Sequence, residues 1–134
     1  MKHGKQKIRA DVLKELHFLE SLSRRCPKDG EILKALSDLF TKVGRYEDGL
    51  KVDLELSEIC PREPLVWYNL ACSYALTTRK DEALSALARA VDLGYKDYTW
   101  IREDSDLESI RNDQRFEVLM RRLMTGQNVT RRST

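Results

Sequence analysis

The sequence predicts an all-α fold in which short antiparallel helix pairs stack into an α-solenoid. The 134 residues include only three prolines and six glycines, with 41% hydrophobic and 34% charged residues, which is typical of a soluble, helix-rich chain. Segments that lie 34 residues apart resemble one another, which indicates repeated units. Apolar residues inside the units recur at steps of three and four, as on one face of a helix. We therefore expect a single domain over residues 1–134.

The repeat is marked by a short motif at its seam. CPKD at residues 26–29 returns as CPRE at 60–63 and as GYKD at 94–97. Large apolar residues also coincide at this offset, and the matched pairs are Leu33 with Trp67, Leu36 with Leu70, and Phe40 with Tyr74. A match of this extent predicts two full units, residues 30–63 and 64–97.

A single helix over residues 8–27 is predicted to precede the first unit. Its apolar face consists of Val12, Leu16, Leu19 and Leu22. It corresponds to the second helix of a preceding unit, with Pro27 in the closing position. This half unit is expected to cap the N-terminal end of the stack.

The second helix of the first unit has an ambiguous pattern. Leu50, Val52, Leu54 and Leu56 alternate with polar residues, which taken alone suggests a half-buried strand. On a helix the same residues form two stripes, one with Leu50 and Leu54 and the other with Val52, Leu56 and Ile59. A helix that lies between its own partner and the next unit needs two stripes, so the pattern favours a helix.

The repeat pattern ends after residue 97, and residues 98–124 are predicted to form a helical C-terminal cap. Ser105 with Glu108 indicates a capping box, and Asp113 is expected to cap a final helix. The apolar side of that helix is Phe116, Leu119 and Met120. Residues 125–134 are predicted to be a disordered tail.

These motifs resemble the tetratricopeptide repeat family, whose 34-residue helix-turn-helix carries W-x2-L-G-x2-Y, then A-x3-F, then P. The second unit supplies the matching residues Trp67, Leu70, Ala71, Tyr74, Ala83, Leu87 and Ala90. The first unit departs at Gly49, where alanine is usual, and at Asp53, where a large apolar residue is expected. The last stretch resembles the tail that closes bacterial arrays of these repeats. This resemblance implies that Trp100, Leu107, Ile110 and Phe116 cover the last helix pair.

Composition argues against several other classes of protein. The formal net charge of +2 creates no strong field for nucleic acid or an anionic membrane, although both ends of the chain are basic. No apolar run approaches the ~20 residues of a membrane span, and the N-terminus lacks a signal-peptide core. Three cysteines in such a chain favour free thiols. We therefore expect a cytoplasmic protein, with nucleic-acid binding through the basic ends as a minor alternative.

No catalytic constellation is recognisable in the sequence. The two histidines have no partner at the spacing of a metal site, and no phosphate-binding loop or nucleophile motif occurs. The acidic run at residues 103–108 lacks the spaced oxygen ligands of a calcium loop, and it is interpreted as a solvated loop. We expect no enzyme activity, no metal and no cofactor.

The resemblance implies a non-catalytic protein–protein interaction module, acting as a scaffold or adaptor for a peptide or protein segment. In such stacks the first helix of each pair lines a concave face. The residues expected to contact the partner there are Lys34, Asp38, Thr41, Lys42, Tyr68, Asn69, Cys72 and Leu76. The alternative is a structural subunit that acts by homo-oligomerisation or within a larger assembly. The sequence leaves the partner and the oligomeric state open.

Overall fold

A computed structural model describes the backbone of residues 2–133 and the side chains of residues 10–126. Helices account for every regular element in this part of the chain, which confirms the predicted all-α class. In chain order they are α1 (Lys2–Arg25), α2 (Gly30–Lys42), α3 (Tyr46–Ile59), α4 (Pro64–Leu76), α5 (Lys80–Asp92), α6 (Tyr98–Glu103), a 3₁₀ helix (Ser105–Ile110) and α7 (Gln114–Ser133). We refer to residues 98–126 as the closing segment.

The chain divides into two compact units, Met1–Pro61 and Arg62–Thr134. The division falls inside the CPRE motif, the seam that sets the repeat register. Unit 1 contains α1 to α3, and unit 2 contains α4, α5 and the closing segment.

In unit 1, α2 packs against both α1 and α3. The Asp29 carboxylate begins α2 by accepting the backbone N–H groups of Glu31 and Ile32, at 3.0 and 3.2 Å. The side of α2 that faces the core carries Leu33, Leu36, Ser37, Leu39 and Phe40, all of which are buried. Core burial thus follows the three- and four-residue spacing found in the sequence.

The ambiguous segment of unit 1 is a helix, α3, as predicted. Leu50, Val52 and Leu56 are buried, whereas Leu54 and Ile59 are 38% and 37% exposed at the margin of the packed face. Asp53 is almost fully buried and accepts a hydrogen bond from the Ser37 hydroxyl at 2.5 Å. A buried carboxylate is tolerable when it is hydrogen-bonded, which accounts for an acid at a position where the sequence resemblance led us to expect an apolar residue.

In unit 2, α4 packs against α5, and the 3₁₀ helix contacts both of them. Pro64 occupies the first turn of α4, where its missing N–H removes no intrahelical hydrogen bond. The small residues Ala71, Ala83 and Ala90 are completely buried, so the two helices approach closely at these points. Arg89 lies over the ring of Trp67, with its guanidinium carbon 5.3 Å from the ring centroid.

The closing segment contributes much of the core of unit 2. Leu107, Ile110 and Phe116 have no exposed surface, so these three side chains are buried as expected. The expectation for Trp100 is wrong, because its side chain is 49% exposed. The predicted cap at Ser105 is also displaced by one residue, since Asp104 precedes the 3₁₀ helix and its carboxylate accepts the N–H of Asp106 at 3.0 Å.

The final helix begins as predicted. The Asp113 carboxylate accepts the backbone N–H of Arg115 at 2.9 Å. The basic residue Arg122, near the end of the chain, pairs with Asp92 at 2.7 Å, whereas the side chains of Arg131 and Arg132 lie outside the described residues. The backbone of residues 125–133 belongs to α7, and the predicted disorder of residues 125–134 stays a prediction. None of the described helices is long and apolar enough to cross a membrane.

Candidate functional site

The predicted contact residues of unit 1 form one stripe along α2. Lys34, Asp38, Thr41 and Lys42 follow helical spacing on the side turned away from the buried residues of α2. Asp38 and Lys42 are exposed and form an ion pair at 3.2 Å, and Thr41 donates its hydroxyl proton to the Ser37 carbonyl at 3.2 Å. The structure thus brings this half of the predicted set together on an accessible surface.

The exposed charges of this stripe are those of Asp38 and Lys42. The Lys34 ammonium lies 3.4 Å from the Glu31 carboxylate, and the Asp38–Lys42 pair has both side chains more than 60% exposed. An exposed ion pair such as Asp38–Lys42 contributes at most about 1 kcal/mol, so a partner can replace it at small cost. Ammonium and carboxylate groups side by side suit a segment that carries charges of both signs.

In unit 2 the corresponding face of α4 is covered. Shifted by 34 residues, Lys34 and Asp38 fall on Tyr68 and Cys72, which are only 3% and 7% exposed. The expectation that these two side chains face an open groove is therefore wrong. The closing segment packs over them and brings Asp104, itself 6% exposed, to the position where a ligand was expected.

Tyr68 is held by two kinds of contact. Its hydroxyl donates to Asp104 Oδ2 at 2.5 Å. Its ring stacks on that of Tyr95, with centroids 4.2 Å apart and planes inclined by 5°. Burial is the main cause that raises the pKa of Tyr68 far above its ordinary range, and it raises the pKa of the half-buried Tyr95 to about 12. Both phenols therefore remain protonated near neutral pH.

Cys72 belongs to the same buried cluster. Its sulfur lies 3.7 Å from Asp104 Oδ2, and burial raises the pKa of its thiol well above the usual value. Burial, and after it the charge of Asp104, also raises the pKa of Asp106. The thiol is thus protonated and weakly nucleophilic, which agrees with a packing role.

The same residues include three potential metal ligands. Ligand atoms of Cys72, Asp104 and Asp106 lie within 4.8 Å of one another. Within this cluster, the Tyr68 hydroxyl and the backbone N–H of Asp106 both donate to the Asp104 carboxylate. The sequence suggested that the acidic run at residues 103–108 is a solvated loop. This expectation is wrong for Asp104, whose side chain is buried. No local signal pairs Tyr68 with Asp104, because they lie 36 residues apart in different elements.

The accessible surface of α4 is smaller than the predicted one, because Tyr68 and Cys72 are buried. Asn69 is exposed and Leu76 is half-buried, so both stay accessible as predicted. Leu65, which sequence reasoning missed, is 53% exposed on the same side of the helix. The sequence signal that could have identified Leu65 is its position four residues before Asn69, which places both on one side of a helix.

Comparisons with known proteins agree on the fold. No family model matches the chain. A solved structure, "MamA MSR-1 C2", superposes with a TM-score of 0.67 at 18% identity, over 92% of this chain and 70% of that one. A second, "MamA RS-1 ArsTM double mutant", gives 0.64 at 15% identity, over 90% and 70%. The chain has a helical-repeat fold.

One curated relative is similar in sequence. It is a chloroplastic protein from Arabidopsis thaliana that is 32% identical over 108 residues, or 78% of this chain. The chain spans 32% of the length of that relative. The helical-repeat protein described here therefore resembles one part of a longer protein.

Proposed function

We propose that this helical-repeat protein is a non-catalytic interaction module of the tetratricopeptide repeat type. It acts as a scaffold or adaptor that binds a peptide or protein segment through exposed residues of α2 in unit 1 and of α4 in unit 2. The bacterial-type closing tail belongs to the same proposal. The observation that carries it is the α2 stripe of Lys34, Asp38, Thr41 and Lys42, which lies on an accessible side of a helix whose opposite side is core.

The chemistry of the open residues suits an extended segment. The Asn69 amide can donate to and accept from the backbone of a peptide at the same time. Leu65 and Leu76 provide apolar surface on the same helix, and the α2 stripe provides charges of both signs. In this proposal Tyr68 and Cys72 do not contact the partner. They are buried and pack α4 against Asp104 of the closing segment.

A bacterial cytoplasm is the proposed setting. Cys26, Cys60 and Cys72 are all free thiols, which fits a reducing compartment. The repeat pattern and the closing tail supply the bacterial part of this proposal.

The test is copurification from native lysate with the wild-type chain and a Lys34→Ala, Lys42→Ala, Asn69→Ala variant. Truncation at these accessible positions leaves the core intact, so we expect loss of a specific partner without loss of folding. The matched control is a Lys51→Ala, Glu58→Ala variant, which removes exposed charges from α3. Retention of every partner by the first variant would falsify the α2 and α4 assignment.

A further inference from the structure

The α1 helix of unit 1 has one uncovered side. Phe18 lies on this side and is 63% exposed, and Leu22, one turn later, is half-buried. Another side of α1 carries Leu16, which has no exposed surface, and α1 packs against α2. A large aromatic ring and part of a leucine therefore remain in contact with water on a helix that is otherwise anchored in unit 1.

The repeat shows what covers the corresponding side of the other second helices. Shifted by 34 and 68 residues, Phe18 falls on Val52 of α3 and Ala86 of α5, which are only 8% and 4% exposed. On α3 this side faces α2, because a Cβ at Gly49, three residues before Val52, would lie 3.6 Å from Phe40 Cβ. In both full units the first helix packs against the second. On α1 the same side lacks a helix, and one more helix packed there would complete a pair.

The charges at the two ends of the uncovered side are opposite and lie symmetrically about Phe18. Asp11 is seven residues before Phe18 and Arg25 is seven residues after it, so the three side chains form one stripe at steps of about two helical turns. Both charged residues are exposed, and neither forms an ion pair with another residue whose side chain the structure describes. A copy of the same helix running in the opposite direction therefore presents a base to this acid and an acid to this base.

We infer that α1 packs antiparallel against α1 of a second copy of this chain, in a two-fold symmetric dimer with the two Phe18 rings at its centre. In this register Asp11 of each copy meets Arg25 of the other, which gives two ion pairs between the copies. Lys14 lies opposite Leu22, so its apolar stem can cover that leucine while its ammonium stays in water. A parallel arrangement would instead bring like charges together at both ends, which is unfavourable.

The contact uses the same surface on both copies, so association stops at a dimer. A single pair of helices is at the small end of specific interfaces, and the dimer should therefore dissociate on dilution. This inference does not depend on the proposed function, because the α2 stripe and α4 take no part in the contact.

The first experiment measures mass by light scattering over a concentration series for the wild-type chain and Phe18→Ser. We expect the wild type to approach the mass of a dimer, and Phe18→Ser to raise the dissociation constant at least tenfold, because both copies lose the central apolar contact. Trp100→Ser is the matched control, since it removes an exposed aromatic side chain of unit 2 and should leave association unchanged. Circular dichroism checks that each variant retains its helices.

Charge reversal tests the antiparallel register. Asp11→Arg and Arg25→Asp each place like charges at both ends of the dimer, and each should raise the dissociation constant about tenfold. The two variants mixed together should associate as tightly as the wild type, because every contact between positions 11 and 25 then joins an arginine to an aspartate. Arg24→Asp is the control, since it makes the same change of charge about 100° around the helix from Arg25.

Four results would overturn the inference. They are a wild-type chain that stays monomeric up to about 1 mM, assemblies larger than a dimer, undiminished association of Phe18→Ser, and a mixture of the charge variants that associates no better than either variant alone. A monomeric wild type would leave the uncovered side of α1 to a helix of a different protein.

Discussion

A buried carboxylate, Asp104, joins the closing segment to α4. Tyr68 donates to it at 2.5 Å, and the Arg111 guanidinium donates to the Asp104 backbone carbonyl, also at 2.5 Å. Ser109 adds a hydrogen bond to the Ala75 carbonyl at 3.2 Å. The bonds from Tyr68 and Ser109 hold the closing segment against α4, which explains why this face of α4 is covered. The bond from Arg111 lies within the closing segment and stabilises it.

Removing the Tyr68 hydroxyl tests the strength of this attachment. In Tyr68→Phe the Asp104 carboxylate loses a buried donor, and we expect the free energy of unfolding to fall by about 1–3 kcal/mol. Tyr46→Phe is the control, because that tyrosine is 38% exposed and its change should stay within about 0.5 kcal/mol. Urea unfolding monitored by circular dichroism measures both. Equal stability of the two variants would show that the hydrogen bond contributes nothing.

At the residue scale, the sequence predicted the apolar core more fully than the buried polar contacts. Leu107, Ile110 and Phe116 were expected to be buried, and they are. The partnership of Ser37 with Asp53 was not predicted, because the two lie 16 residues apart on different helices. Hydrogen bonds of this kind depend on how helices pack, which periodicity does not reveal.

At the scale of single helices, two glycines have opposite roles. A Cβ added to Gly49, inside α3, would lie 3.6 Å from Phe40 Cβ and 3.7 Å from Thr41 Oγ1, which is ordinary van der Waals contact. Gly44, in the turn between α2 and α3, has a φ of 79°, a left-handed conformation that strains other residues. The first glycine therefore leaves room for alanine, and the second is required by its turn.

Replacing each of these two glycines by alanine should change the free energy of unfolding in opposite directions. Gly49→Ala should raise the free energy of unfolding by about 0.5–1 kcal/mol, since alanine favours the helix and meets no clash. Gly44→Ala should lower it by about 1–2 kcal/mol because of the left-handed backbone. Thermal unfolding of both variants beside the wild type measures the two effects. Destabilisation by Gly49→Ala would mean that α2 and α3 need the glycine to approach each other.

Most of the helices were predictable from local signals. Periodic apolar residues mark α2, α3, α4 and α5, and the structure places helices in these regions. The closing segment was less predictable, since it breaks into α6, a 3₁₀ helix and α7 rather than following the repeat. Short helices carry too few residues for a periodic signal, and the 3₁₀ helix forms where the chain packs against α4 and α5.

At the scale of the whole molecule, burial makes stability sensitive to alkaline pH. The pKa values of Cys72, Tyr68 and Tyr95 are all raised in the folded chain, chiefly by desolvation. Below about pH 8.5 these groups are protonated in both states, and their contribution to stability is complete. Above that value the unfolded chain releases protons that the folded chain keeps, so the free energy of unfolding decreases as pH rises.

The decrease in the free energy of unfolding at alkaline pH should depend on the buried groups Cys72 and Tyr68. Each group that titrates only in the unfolded chain contributes about 1.4 kcal/mol per pH unit. A Cys72→Ala, Tyr68→Phe variant should therefore lose stability less steeply between about pH 8.5 and 11 than the wild type, even if it starts from a lower value. Urea unfolding at a series of pH values compares the slopes. Parallel declines would place the pH sensitivity elsewhere.

The 34-residue repeat, the helical class and the core stripe of α2 could be predicted from the sequence alone, because these features depend on the spacing of residues along a continuous stretch of chain. Which side of α4 is open, in contrast, depends on how distant parts of the chain pack together. Tyr68 and Cys72 occupy the positions that the repeat assigns to a binding face, yet the closing segment covers them with Asp104. That outcome depends on a segment more than 30 residues away, which buries its apolar residues on unit 2 and carries a carboxylate with it.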